Sequence, residues 1–280
     1  MINLNNLIQK TMELAPLPTS SMRLVQLIGN TDCDLEEIVE LIVFDQALTL
    51  KLLRAANSAA TASATRVSNV RDAVRLMGTD MVLTLALAAG AKPLLEKSIS
   101  EYGLDEGAQW RHSVAAAVAA ETLQAFGPVA SPPESVTAAL LHDVGKLIMA
   151  RFLNPEMLLF IQHAKEDGLS EMEAESILLN VHHAELGGLI AQHWNLPPRV
   201  VQGITYHHNP EQGLDIICYL TYLANQLAKY IEGSLVRQNY NLNVPAAVAE
   251  NLKLTPDTLN SLTKLAVSRY SQVSQRYNSI

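Results

Sequence analysis

A histidine and an aspartate stand side by side inside an apolar run, Ala138-Ala139-Leu140-Leu141-His142-Asp143-Val144-Gly145. An unpaired imidazole costs about 1–3 kcal/mol to desolvate, and a lone buried carboxylate takes up a proton rather than stay charged. Burying both obliges the chain to bring other segments to them as partners, and an ion answers both needs at once. Adjacent residues of a helix point about 100° apart. The pair can therefore reach one ion from two directions, or Asp143 can bridge two ions while His142 serves one.

The side chains available as partners are spread along the chain. His112 precedes the pair in WRHSV, His183 follows it in NVHHAEL, His207 and His208 are consecutive in TYHHNP, and Asn225 is central in ICYLTYLANQLAKY. Taken singly, each histidine fits a helix cap or a ring bonded to a carbonyl. As a set, with a His-Asp adjacency and a His-His pair, they point to a constructed pocket. Helix ends and middles from five segments converge in this way where a bundle builds a metal centre.

Nearly every segment carries helical periodicity. Thr19 to Ile28 places Met22, Val25, Leu27 and Ile28 on one stripe, and Gly29-Asn30 stops it. Asp34 followed by Glu37 is a capping-box pattern ahead of Leu35, Ile38, Val39, Ile42 and Val43. A further start at Phe44-Asp45-Gln46-Ala47 leads to Asn57-Ser58, and residues 65–70 read as a loop before a helix over 72–77. Residues 80–91 are almost wholly apolar and read as a central buried helix, too short to span a bilayer. The polar crossing LEKSISEYGLDEGAQ, with Gly103 and Gly107, marks a boundary. Later helices are expected over 110–126, from Ser131-Pro132-Pro133-Glu134 through the His142-Asp143 pair, then over 155–167, 170–179, 183–193, 198–207 and 214–232. A last one opens at Thr255-Pro256. No internal repeat of fixed period is evident.

Net charge is −8 and the pI about 5.5, so no basic field gathers nucleic-acid phosphates; Arg71 and Arg75 are the only hint of a basic patch. Nucleic acid is therefore not an expected partner. Cys33 and Cys218 fall in helical segments far apart and read as reduced, buried or half-buried thiols of a cytoplasmic protein. No basic stretch precedes an apolar run at the N-terminus, and no segment reaches 18 apolar residues, so neither export nor a membrane is expected.

HDVGK, with His112 before it and His183 and His207-His208 after it, resembles the HD superfamily of metal-dependent phosphohydrolases. The blocks APLPTSSMRLVQLI, IVFDQALTLKLLRAANSA and VSNVRDAVRLMG narrow the resemblance to the HDOD domain, the HD-related output domain of bacterial signalling proteins, over roughly residues 10–235. The implied fold is all-α, an HD-like helical bundle (98–235) packed against an N-terminal multi-helix layer (1–97), with a C-terminal helical extension (236–280). By the same resemblance His112, His142, Asp143 and the position of Asn225 would hold one ion. Asp143, His183, His207 and His208 would hold the other. Asn225 stands where those enzymes carry a carboxylate, so the first position loses a negative charge and binds a divalent ion more weakly. The Gly-Tyr-Pro segment of the cyclic-di-GMP phosphodiesterases is missing after the His pair, which argues against that substrate.

The expected cofactors are divalent or iron ions, Fe, Mn, Mg, Ni or Zn. Two readings follow from the resemblance. One is a cytoplasmic signalling or regulatory protein that works through a protein partner, with the N-terminal helical layer offering grooves. The other is a metal-dependent phosphohydrolase acting on a nucleotide or another phosphoester ligand. There Asp143 and Lys146 would be the catalytic groups, with the Lys146 ammonium offsetting charge on the phosphate; Lys146 fits a surface salt bridge equally well. Glu185 is expected to face away from the ion. DNA binding by the N-terminal helices is the weakest reading, because the net charge opposes it.

Overall fold

The computed structural model describes residues 17–28, 34–57, 67–150, 153–235 and 242–277, together with Gln9. The protein is all-α. Among the described residues no strand forms, and the extended pairing is limited to an isolated antiparallel bridge between Ile99 and Leu104. The chain divides into two compact units. Ala15–Pro93 with Trp194–Pro197 make the smaller; Leu94–His193 and Pro198–Ile280 belong to the larger. The described residues 242–277 fall in the larger unit together with the HD-like segment.

The smaller unit holds α1 (Thr19–Ile28), α2 (Leu35–Val43), α3 (Gln46–Ala56), α4 (Val70–Met77) and most of α5 (Thr79–Leu95). Asp34 caps α2 through the Glu36 N–H at 3.2 Å. Asp45 caps α3 through the Leu48 N–H at 3.0 Å and also accepts from the Ser20 hydroxyl at 2.6 Å. Asn57 ends α3 by donating to the carbonyls of Leu53 and Val67 and accepting from the Val67 N–H. These bonds satisfy helix-end groups that would otherwise be orphaned. Helix α4 starts earlier than the polarity of residues 65–70 suggests, because Asn69 caps it at the Asp72 N–H. The apolar helix α5 runs on to Leu95 and carries Pro93 in its last turn. It receives α1 closely: the Ser21 hydroxyl donates to the buried Ala86 carbonyl at 2.9 Å, and a Cβ on Gly90 would stand 2.6 Å from Pro18 Cδ.

The larger unit is built on two long helices in contact, α6 (Ala108–Phe126) and α13 (Ile216–Leu235). Ala115, Ala116, Ala119 and Ala120 are buried on α6, and small residues there allow close helix crossing. Between them run α7 (Ser135–Leu141), α8 (Lys146–Met149), α9 (Pro155–Glu166), α10 (Glu171–Leu179), α11 (His183–His193) and α12 (Pro198–Thr205). Beyond α13 come α14 (Ala246–Asn251) and α15 (Pro256–Tyr277). Helix α15 lies against α6 and α13, with Arg269 paired to Glu121 at 3.4 Å. A reciprocal capping box, Ser170 with Glu173, opens α10.

Two close approaches position everything that follows. A Cβ on Gly145, in the turn after α7, would fall 1.8 Å from the His183 carbonyl oxygen and 2.6 Å from the Gly187 nitrogen. On Gly188 it would fall 2.1 Å from Thr205 Oγ1. The glycines let the turn carrying the His-Asp pair, the first half of α11 and the end of α12 meet almost backbone to backbone. Cys218 is buried with a free thiol, while Cys33 lies outside the described residues. Among the described residues no single helix is long and apolar enough to cross a membrane.

Candidate metal centre

Helix α7 stops at Leu141, so His142 and Asp143 sit in the turn before α8 and not within one continuous helix as expected. His142 keeps helical dihedrals, φ −53° and ψ −36°. His112 comes from α6, His183 from the start of α11, His207 and His208 from just beyond α12, which ends at Thr205, and Asn225 from α13. All seven predicted residues come together. His142, Asp143, His183, His207 and Asn225 are no more than 3% exposed, and His112 and His208 are partly buried.

Four of the rings are oriented by what their Nδ1 atoms touch. His142 Nδ1 lies 2.7 Å from the Ala139 carbonyl and His207 Nδ1 lies 2.7 Å from that of Ile204. A carbonyl can only accept, so each Nδ1 carries the proton and each neutral ring presents an Nε2 lone pair. His183 Nδ1 meets Glu175 Oε2 at 2.7 Å, and His112 Nδ1 meets Glu232 Oε2 at 2.9 Å. Carbonyls and carboxylates behind the rings are the usual means of fixing a ligating imidazole.

In front of the rings the Nε2 atoms flank Asp143 from two sides. Its Oδ2 is 3.5 Å from His142 Nε2 and 3.9 Å from His112 Nε2. Its Oδ1 is 3.2 Å from His183 Nε2 and 3.6 Å from His207 Nε2. His208 Nε2 lies 2.9 Å from His183 Nε2. One group is thus His112, His142 and Asp143, the other Asp143, His183, His207 and His208, the ligand atoms of each lying within 4.8 Å of one another. Asn225 joins the first group through Oδ1, 3.2 Å from His112 Nε2.

The donor set fits a metal ion. Among the described residues His142 Nε2, His207 Nε2 and Asp143 Oδ1 are buried without a hydrogen-bond partner, although native interiors pair nearly all such atoms. The 3.2 Å approach of His183 to Asp143 Oδ1 lies off the line of a hydrogen bond, so it reads as an ionic contact. Burial pushes His142 well below the usual imidazole range and His207 down to about 4, leaving neutral ligands. Burial also pulls His183 down, but Glu175 and Asp143 outweigh it and raise the ring to about 9. Asp143 is opposed by burial, yet Lys146 and the surrounding imidazoles hold it well below the ordinary carboxylate range.

Lys146 is not on the surface. Its ammonium bonds Asp143 Oδ2 at 2.8 Å and pairs with Glu171 at 3.0 Å, with the side chain 13% exposed. Burial alone would lower it; the two carboxylates raise it and keep it charged. Glu185 turns to His182, accepting from its backbone N–H at 3.2 Å, in keeping with the expectation that it faces away from the ion. Sequence reading missed Glu175, wholly buried, which accepts from the Tyr102 hydroxyl at 2.5 Å, the His183 N–H at 2.8 Å and His183 Nδ1. It missed Glu232 as well. Neither has a motif of its own; Glu232, two turns beyond Asn225 on the same helix face, could have been found by helical spacing.

A family model, the HDOD domain, matches residues 14–210. A protein of Treponema pallidum (strain Nichols), itself uncharacterised, is 30% identical over 228 residues, 79% of this chain and 43% of that protein. The chain therefore spans less than half the length of that relative. Among solved structures, one from Shewanella amazonensis SB2B, provisionally assigned as a phosphohydrolase, is 25% identical with TM-score 0.64, covering 93% of this chain and 97% of that one. An HDOD domain protein of unknown function from Geobacter sulfurreducens is 24% identical with TM-score 0.65, over 95% and 87%. A provisionally assigned signal transduction protein from Marinobacter aquaeolei VT8 is 22% identical with TM-score 0.74, over 98% and 64%. These last two similarities show the fold alone.

Proposed function

The chain belongs to the HDOD family, and on that footing we propose that it is a cytoplasmic regulatory domain of bacterial signal transduction, acting through a protein partner around a metal-holding centre. The observation that carries the metal is the convergence of partnerless Nε2 atoms on both oxygens of one buried carboxylate. Support for a protein partner comes from the smaller unit, where Phe44 is 86% exposed beside an open cavity of about 460 Å³ lined by Thr19, Arg23, Leu41 and Asp45.

A second reading, a metal-dependent phosphohydrolase, is favoured by the two-sided use of Asp143 and by the buried Lys146 ammonium beside it. A bound ion would supply Lewis acidity and a water of lowered pKa. The chain's own part would be to hold phosphate oxygen near Lys146 while the Nδ1 contacts keep the imidazoles in place. Asn225 weighs against this reading, since its neutral oxygen leaves the first position short of a charge.

The deciding experiment measures metal content of protein purified without chelator or affinity metal, alongside a phosphatase and phosphodiesterase screen with Mn²⁺ and Fe²⁺. Bound metal without turnover supports the regulatory reading. Turnover abolished by Asp143→Ala supports the hydrolase. Absence of Fe, Mn, Mg, Ni and Zn, with no uptake on addition, overturns the metal centre in both.

A further inference from the structure

The segment 155–180 holds six carboxylates, Glu156, Glu166, Asp167, Glu171, Glu173 and Glu175, against a single lysine, Lys165. Its net −5 is more than half of the chain's −8. It folds as a helical hairpin. Helices α9 and α10 pack on each other across a short turn, where the Leu169 N–H reaches back to the Ala164 carbonyl at 2.9 Å and Ser170 caps α10. The two faces of the hairpin are unlike. Ile161 and Ala164 of α9 and Ala174 and Leu179 of α10 are buried, while Glu171 and Glu175 reach Lys146 and His183. On the other face Glu156, Leu159, Phe160, His163 and Asp167 recur at three- and four-residue steps along α9 and its end, all exposed, as do Glu173 and Ile177 on α10. Leu159 is 55%, Phe160 39% and Ile177 63% exposed.

We propose that the outer face of this hairpin docks a basic amphipathic segment of a protein partner, an inference that rests on the regulatory reading above and deepens it. Exposed apolar side chains rimmed by charge mark a surface that another molecule covers, and the sign of the rim selects which. A second copy of the chain would set like charges face to face, and anionic lipid or nucleic acid is repelled in the same way. A segment with lysines or arginines beside an apolar stripe answers both features. Its cations meet the exposed Glu156, Glu166, Asp167 and Glu173, and its stripe lies on Leu159, Phe160 and Ile177. Because Glu175 on the inner side of α10 backs His183, a partner seated outside stands across one helix from the metal-holding centre.

The test follows fluorescence anisotropy of a fluorescein-labelled leucine–lysine peptide, patterned as an amphipathic helix, as the full chain is added; a leucine–glutamate peptide of the same pattern is the control. The basic peptide should bind and the acidic one should not. The double variant Leu159→Ser, Phe160→Ser should keep the unfolding midpoint yet lose affinity by about tenfold or more. Glu166→Gln with Asp167→Asn should weaken binding at low salt and flatten its salt dependence. Phe44→Ser, in the smaller unit, should bind as the wild type does. No binding of the basic peptide, equal binding of the acidic one, or affinity unchanged in the double variant overturns the proposal. Binding lost in Phe44→Ser but kept in the double variant overturns it too, and leaves the protein-partner reading standing on the smaller unit. The regulatory reading itself stands or falls separately, on bound metal without turnover.

Discussion

At the scale of single residues, Asn225 sets the asymmetry between the two histidine groups. Asn225→Asp would add a formal charge 3.2 Å from His112 Nε2, where only an amide oxygen now stands. Tighter metal retention at the first position is expected, read as a rise in Mn or Fe per chain; unchanged metal content would separate Asn225 from the centre. Glu175 makes a different test, because it contacts His183 at Nδ1, across the ring from the Nε2 that faces Asp143. Glu175→Gln keeps one acceptor oxygen but turns the other into a donor, so three existing bonds cannot all survive. Stability should fall by about 1.5–3 kcal/mol in urea unfolding, and metal affinity by about 10–100-fold in competition with a chelator. Retention of both would show that His183 needs no support from behind. The contrast also explains what the sequence could disclose. Histidine and aspartate inside an apolar run announce that partners are needed, and all seven predicted residues meet; a glutamate on an amphipathic helix such as α10 looks the same buried or solvated until tertiary packing selects it.

At the scale of elements, helix positions were largely legible because the periodicity and caps are local, and the departures have local causes. The pair lies after α7 because Val144-Gly145 turns the chain, and α12 stops at Thr205, freeing His207 and His208 to swing toward His183. What periodicity cannot show is how closely two helices approach. Gly145 and Gly188 fix that distance, and they differ in what an added methyl would meet. At Gly145 it meets the His183 carbonyl oxygen, a backbone atom that moves only with α11; at Gly188 it meets the Thr205 side chain. Gly145→Ala should therefore cost more stability than Gly188→Ala, with overpacking typically about 1–3 kcal/mol. It should also lower metal content, since displacing α11 carries His183 away from Asp143. Equal unfolding midpoints for the two variants would refute this ranking.

At the scale of the whole molecule, the centre draws α6, the α7–α8 turn, α11, the end of α12 and α13 to one point within the larger unit, so its protonation is part of that unit's stability. Where the chain divides was only partly legible: the polar crossing after α5 lies near the observed Pro93/Leu94 division, but nothing in the spacing of 236–280 shows that α15 docks on α6 and α13. The pH dependence has two limbs of opposite origin. His142 and His207 are depressed on folding, the latter to about 4, so they contribute stability above the unfolded imidazole value, about 6.5, that is lost as pH falls toward 4. Asp143, also depressed, acts in the same direction at lower pH. His183 is raised to about 9, so its contribution is complete below about 6.5 and disappears as pH climbs through 9. Metal-free protein should lose stability on both sides of neutrality. Adding Mn²⁺ replaces the proton on His183 with an ion that favours the neutral ring, which should flatten the alkaline limb and steepen the acid one, where protons compete for the same nitrogens. Urea midpoints at about pH 5, 7 and 9, with chelator and with Mn²⁺, measure this; an alkaline limb indifferent to Mn²⁺ would remove His183 from the ligand set.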